Sequence, residues 1–245
     1  MNSSNEPLVA VDVIDVTKSF GTPVVDHLSF TVHRGEAVGI VGPNGAGKTT
    51  LLNLVAGDLS PDSGRIMLGD VDVTAHRPEV RCLSGLARTS QVPRPFEGLT
   101  VFENVLVGAQ FGSHHKGQDA TDMAVDALDR TGLLSKANIQ AGGLGLLERK
   151  RLELARALAT DPTVLLLDEV AGGLTEAEVH ELVDKIRDLH RSGITIIWIE
   201  HIVHALLAVV GRIMAMAFGK KIAEGDPHDV MASAAVREVY LGAIE

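Results

Sequence analysis

Aromatic residues make up only 3% of this chain, so stacked rings cannot build its core. Leu, Val, Ile and Ala must fill it, and a hydrophobic share of 45% supplies enough of them for one large domain. Cysteine is almost absent. The lone Cys82 excludes an internal disulfide and a multi-cysteine metal site, fits a reducing compartment, and is expected to be a small buried or half-buried apolar residue. Positive charge is in deficit: 22 Lys and Arg against 32 Asp and Glu leave a formal net charge of -10 and a pI near 5.4. That balance argues against a general nucleic-acid-binding surface. Long apolar runs are missing as well, since the stretch Ile202 to Gly211 is interrupted by His204 and falls short of the ~20 residues of a membrane span. Met1 to Pro7 carries no positive region or apolar stretch, and residue 2 is not Gly, so attachment to a membrane is expected to come from another protein.

What is present is concentrated in Gly42-Pro43-Asn44-Gly45-Ala46-Gly47-Lys48-Thr49-Thr50, which fits G-x-x-x-x-G-K-[ST]. Gly42, Gly45 and Gly47 let the backbone turn sharply and aim successive N–H donors at phosphate oxygens. Lys48 places a point charge at the β/γ-phosphates, and the Thr49 hydroxyl can bind Mg²⁺. An apolar run, Val38 to Val41, precedes the motif, and Thr50 to Val55 reads as a helix whose N-terminus favours an anion. These residues imply binding of a nucleoside triphosphate.

The chain reads as α/β. Leu8 to Val16 and Val24 to Val32 alternate as strands around the turn Phe20 to Pro23. Pro61 to Gly64 is a turn before strand-like Arg65 to Leu68. From about Val92 to Ala159 helical texture dominates, with Pro93 and Pro95 at its start and a polar loop at Gly112 to Lys116. Asp119 to Leu134 is one helix candidate, with Met123, Ala127, Leu128 and Leu134 on its apolar side; Glu148 to Ala159 is another. Val164 to Leu167, Ile194 to Ile199 and Ile213 to Phe218 read as buried strands, and Thr175 to Arg191 as a helix with Thr175 as N-cap and Glu178 closing a capping box. Strand, helix and strand in that order imply a parallel sheet.

Asp168 ends the apolar run 164–167, and Glu169 follows it directly. An Asp at the carboxyl end of a strand beside a phosphate loop is a second handle on Mg²⁺, and the next carboxylate can accept a proton from the attacking water or orient it.

With that adjacent Asp-Glu pair, the sequence resembles the ATPase subunits of ABC transporters over essentially its whole length. The resemblance implies a P-loop ATPase core with a mainly parallel sheet, an N-terminal antiparallel β-subdomain and an inserted helical subdomain. One domain would span 1–245, with core segments 1–91 and 160–245 and a helical insertion at about 92–159. It further implies that Gln91, after strand-like Gly85 to Ser90, reaches the Mg²⁺ and water region, and that His201, in Trp198-Ile199-Glu200-His201, contacts the γ-phosphate. Phe20 stands where the family places an aromatic against the adenine ring, with packing under a hairpin turn as the other reading. The cofactors implied are ATP and Mg²⁺. The partners implied are a second ABC ATPase subunit (the same chain or a paralogue), transmembrane permease subunits, and indirectly a substrate-binding protein. Peripheral attachment at the cytoplasmic face of the cell membrane would follow.

The departures from the family pattern are specific. Its signature pentad, which binds the γ-phosphate held by the opposite subunit, falls on Leu144-Gly145-Leu146-Leu147-Glu148. The usual Ser is Gly145, both glycines are Leu, and the Gln is Glu148, so the hydroxyl is lost and a negative charge is gained. The Pro after the catalytic Glu is Val170, and the D-loop Asp is replaced by Thr175. Arg88 to Phe96, Leu99 to Val105, Phe218 to Gly225 and Glu238 to Gly242 are close to the pattern of branched-chain amino acid importers, in particular the first of their two ATPase subunits. The expectation is therefore an ATPase energising such an importer through a head-to-tail pair, with Val92 to Phe111 docking the permease. A urea or short-amide importer, a regulatory subunit that barely hydrolyses, and a soluble ABC ATPase acting on nucleic acid or ribosomes are the alternatives. The acidic balance weighs against the last of these.

Overall fold

A computed structural model describes residues 7–241. Its elements run β1 (Val9–Ser19), β2 (Pro23–His33), β3 (Ala37–Val41), α1 (Lys48–Ala56), β4 (Ser63–Leu68), β5 (Val71–Asp72), α2 (Pro78–Leu83) and β6 (Leu86–Arg88). There follow α3 (Val101–Gly112), α4 (Gln118–Arg130) and α5 (Leu146–Leu158), with 3₁₀ turns at Leu134–Lys136 and Ala141–Gly143. Then come β7 (Val164–Asp168), α6 (Glu176–Arg191), β8 (Thr195–Ile199), α7 (Val203–Leu207), β9 (Arg212–Ala217), β10 (Lys220–Gly225), α8 (Pro227–Ala232) and α9 (Ala234–Leu241).

Two sheets form. One is antiparallel, in the order β2-β1-β4-β5; the other has the order β10-β9-β3-β8-β7-β6 and is parallel except at β10. The central strands are short apolar runs because both faces are covered. Successive residues serve opposite sides: Leu165, Leu167, Ile196 and Trp198 join one core with α3 to α6, while Val164, Leu166, Ile197 and Ile199 join another with α1 and the antiparallel sheet. Each such fully buried Leu, Ile or Val contributes roughly 1.5–3 kcal/mol, so aliphatics alone suffice.

Several boundaries differ from expectation, each for a local reason. α4 stops at Arg130, not Leu134, because Thr131 closes it and Gly132 turns to φ 74°. Its buried face is Ala120, Ala124, Ala127 and Leu128; Met123 is only partly buried, Leu134 is exposed, and Leu133 is buried instead. The strand expected over Gly85 to Ser90 narrows to β6, since Gly85 adopts φ 92°. The turn at Pro61 to Gly64 is shorter, because β4 already pairs Ser63 with Thr17. α1 begins at Lys48, two residues before the expected start at Thr50. Phe218 lies outside β9, at φ 48° and 85% exposed in the turn to β10. Cys82 is partly buried. The capping box of α6 is as expected: Thr175 N–H donates to Glu178 Oε2 at 2.8 Å, and Glu178 N–H to Thr175 Oγ1 at 3.4 Å.

Arg81 on α2 anchors the helix that follows the phosphate loop. Its guanidinium is buried and donates to the carbonyls of Leu54 and Val55 in α1 at 2.7 and 2.8 Å, and to those of His76 and Thr74 at 3.0 and 3.1 Å. It thereby adds a donor at the C-terminal end of α1, where the Leu54 carbonyl also accepts the Gly57 N–H at 3.3 Å. Arg81→Met, close in length but without donors, removes the buried donor from the Val55 carbonyl. We expect it to lower the unfolding free energy by about 2–4 kcal/mol in chemical denaturation. A loss below about 0.5 kcal/mol would mean that water replaces the guanidinium without cost.

Candidate functional site

The phosphate loop joins β3 to α1 and depends on its glycines at two close approaches. A Cβ on Gly42 would lie 2.2 Å from the Met216 carbonyl oxygen, and one on Gly47 would lie 2.3 Å from that of Val24. Both residues also have positive φ, 153° and 97°. Gly45, at φ 80°, faces open space. Ala46 N–H donates to the Pro43 carbonyl at 3.2 Å, and Gly219 N–H to the Ala46 carbonyl at 3.1 Å, so the β9–β10 turn buttresses the loop. No side chain caps the N-terminus of α1. Its first-turn amides, including those of Thr49 and Thr50, are therefore open to an anion. Lys48 Nζ donates to the carbonyls of Gly42 and Pro43 at 2.7 and 2.9 Å. Burial pushes the Lys48 pKa down, opposed by the carboxylates of Glu169 and Asp168. Asn44 is exposed within the same loop.

Three neighbouring parallel strands bring the remaining groups together at their carboxyl ends. β7 ends in Asp168 and leads into Glu169; β6 leads to Gln91; β8 leads to Glu200 and His201. Gln91 Nε2 donates to Glu169 Oε2 at 2.5 Å, and His201 Nε2 lies 2.6 Å from Glu169 Oε1. Glu169 has φ 48°, a left-handed conformation rare outside glycine that costs on the order of 1–3 kcal/mol. Its backbone is held there by its N–H donating to the Ile199 carbonyl at 2.8 Å and by Lys150 Nζ reaching its carbonyl at 3.4 Å.

Asp168 is 2% exposed; its Oδ2 accepts from Arg88 at 2.7 Å, while the buried Oδ1 has no hydrogen-bond partner. A buried carboxylate oxygen without a partner is costly unless something meets it. Thr49, Gln91 and Asp168 line one cavity of about 640 Å³. Hydroxyl, amide and carboxylate oxygens suit a hard divalent cation, so the free Oδ1 and this donor set fit Mg²⁺.

The other expected residues fall as follows. Phe20 sits in the β1–β2 turn, 59% exposed, with Lys18 Nζ 5.7 Å from its ring centroid. The ring is therefore not packed under the hairpin, and the same hairpin meets the loop through Val24 and Gly47. Leu144 to Glu148 lie at the start of α5, with Gly145 as N-cap, and Leu146 packs beside Gly173 in the loop that follows Glu169. Phe96 is exposed beneath Arg156, whose guanidinium lies 5.0 Å from the ring centroid.

Sequence reasoning missed Arg88, Lys150 and Glu200. Arg88 also donates to Asn53 Oδ1 at 2.6 Å and Asp58 Oδ2 at 2.7 Å, tying β6 to α1. Glu200 is buried and accepts backbone N–H bonds from Ala171 and His201 at 3.0 Å and from Ile202 at 3.4 Å, joining the loops after Glu169 and before α7. The available signal was a carboxylate closing an apolar strand directly before His201.

Residues 25–172 match the family described as ABC transporter, and residues 220–245 match the family described as Branched-chain amino acid ATP-binding cassette transporter. The high-affinity branched-chain amino acid transport ATP-binding protein LivG of Escherichia coli (strain K12) is 33% identical, over 97% of this chain and 99% of that protein. Nod factor export ATP-binding protein I of Rhizobium meliloti (strain 1021) is 37% identical, over 97% of this chain and 71% of that protein. A solved ATP-binding cassette of an ABC transporter in its ADP conformation superposes with a TM-score of 0.88 at 30% identity, covering 96% of this chain and 99% of that one.

The loop geometry makes a graded prediction. Gly47→Ala, with a backbone clash, is expected to weaken binding of a fluorescent ATP analogue by tenfold or more, on the order of 1.4 kcal/mol or above. Gly45→Ala, strained but unobstructed, is expected to weaken it less. Titration of both variants checks the order, and equal losses would contradict the role given to the Val24 contact.

Proposed function

This chain belongs to the ATP-binding subunits of ABC transporters, and we propose that it is the ATP-hydrolysing subunit of an importer for branched-chain or other hydrophobic amino acids. The observation that carries the choice of cargo is the match of residues 220–245 to the branched-chain cassette family, supported by likeness to LivG along nearly the whole chain. Likeness to a Nod factor export protein leaves the direction of transport to experiment.

ATP hydrolysis is the family's chemistry, and the geometry supports a division of labour. Lys48, Gly42 to Thr50 and the open N-terminus of α1 hold the phosphates, and Phe20 offers an exposed face for adenine. Thr49, Asp168 and Gln91 would hold Mg²⁺, which on binding supplies neutralisation of phosphate charge. Glu169 takes or orients the proton of the attacking water, and His201 stabilises the γ-phosphate. Gln91 and His201 hold the Glu169 carboxylate between them, so a γ-phosphate and water must compete for the same groups. That competition gives the differential free energy by which nucleotide can bias a moving assembly. Among the described residues no helix is long and apolar enough to cross a membrane. Permease subunits therefore supply the membrane path, docking at the segment from Val92 to Phe111 beside Gln91. A second ATPase subunit and, through the permease, a substrate-binding protein complete the machine at the cytoplasmic face.

The complex retained by a tagged copy of this chain from native membranes, reconstituted in vesicles with its binding protein, tests the reading. ATP-dependent uptake of radiolabelled leucine, lost with Lys48→Ala, is the expected result. ATP-dependent uptake of urea or acetamide without leucine would move the assignment to a short-amide importer, and export of leucine would reverse the direction.

A further inference from the structure

Arg88 sets a fixed positive charge against Asp168 that the phosphate-loop motif itself does not call for. Its guanidinium spans three elements. One nitrogen donates to Asn53 Oδ1 in α1 at 2.6 Å and to Asp58 Oδ2 just beyond α1 at 2.7 Å. Another donates to Asp168 Oδ2 at the end of β7, also at 2.7 Å. The carboxylate is 2% exposed and the arginine side chain 21%, so this pair is screened far less by salt and water than a surface pair.

The rigid fork of the guanidinium also decides which oxygen of Asp168 is taken. Oδ2 is occupied, while Oδ1 has no hydrogen-bond partner among the described residues. Arg88, Asp168, Thr49 and Gln91 line one cavity. The two carboxylates of the site are served unequally. Glu169 has Lys48, Lys150 and His201 near it. For Asp168, the one cation bonded to it among the described residues is Arg88. A polyphosphate arriving at Lys48 adds more negative charge to this site, so the state of Asp168 bears directly on how readily it is accepted.

Resting on the reading of this chain as an ATPase that holds nucleotide at Lys48, we infer that Arg88 is a positioning residue that lowers the dependence of nucleotide binding on Mg²⁺. Bonded to Oδ2, it offsets the charge of Asp168 and so reduces the repulsion felt by phosphates that carry no metal. The same bond leaves Oδ1 free for the metal. Arg88 thus supports two states of the site, one for nucleotide alone and one for nucleotide with Mg²⁺. A mere tie between β6 and α1 would affect stability but not how binding depends on Mg²⁺.

The purified chain is titrated with a fluorescent ATP analogue in excess Mg²⁺ and in EDTA, and the ratio of the two affinities is the readout. Arg88→Gln removes the charge but keeps a hydrogen-bond donor, whereas Arg88→Lys keeps the charge and loses the fork. Arg88→Gln should widen the preference for Mg²⁺ about tenfold or more over wild type, chiefly by weakening binding in EDTA. Arg88→Lys should hold the ratio within about threefold of wild type. Adding Asp168→Asn to Arg88→Gln removes the charge to be offset, and should return the affinity in EDTA to within about threefold of wild type. Should Arg88→Gln be too unstable to titrate, the analogue with Mg²⁺ should restore its thermal transition and the analogue in EDTA should not. An unchanged ratio in Arg88→Gln, equal widening in Arg88→Lys, no recovery with Asp168→Asn, or restoration in both buffers or in neither would overturn the inference. Each of those results leaves the proposed function standing. Failure of the wild type to bind the analogue in either buffer would instead defeat the ATPase reading itself.

Discussion

The hydrogen bonds that hold the Glu169 carboxylate between Gln91 and His201 bring together the ends of three neighbouring strands, and the core is arranged around that meeting. In a parallel sheet all carboxyl ends lie on one edge, so β6, β7 and β8 deliver Gln91, Glu169 and His201 to the same place without long loops. β3, next to β8, delivers the phosphate loop to that edge as well. The aliphatic cores on both faces of the sheet set this geometry, because a shift of one strand by one residue would send each apolar side chain to the wrong face.

The charged groups of the site are mostly satisfied internally. Lys48 rests on two loop carbonyls, Asp168 shares one oxygen with Arg88, and Glu169 is shared by Gln91 and His201. On the proposed reading, phosphate and metal exchange these bonds for new ones. Exchange of one hydrogen bond for another is worth only about 1 kcal/mol net, which lets the site respond to what is bound without large rearrangement of the core. The exceptions are the free Oδ1 of Asp168 and the uncapped N-terminus of α1, where a cation and an anion respectively have nothing to displace. The strained backbone of Glu169 belongs to the same design, pinned by the Ile199 carbonyl and by Lys150 from α5.

The sequence was most legible where chemistry and local geometry coincide. The spacing of glycines before Lys48, the apolar strand closing on Asp168 and Glu169, and the Thr175–Glu178 capping box each depend on residues close in the chain. Gln91 and His201 needed the family pattern, because only the sheet order places them beside Glu169. Arg81, Arg88 and Lys150 were illegible for the same reason, since each buried or half-buried charge is explained by partners far along the chain. The end of α4 was misread because helical periodicity continues past Gly132, whose positive φ breaks the helix.

Turnover by Glu169→Gln in the complex with its partner ATPase and permease tests the central claim most directly. Gln keeps the shape and can hydrogen-bond, but cannot accept a proton from water. ATP affinity should stay within about threefold of the wild type while hydrolysis at this chain's site falls by about 100-fold or more. Hydrolysis at the wild-type rate would show that the carboxylate held by Gln91 and His201 is not the group that acts on the attacking water.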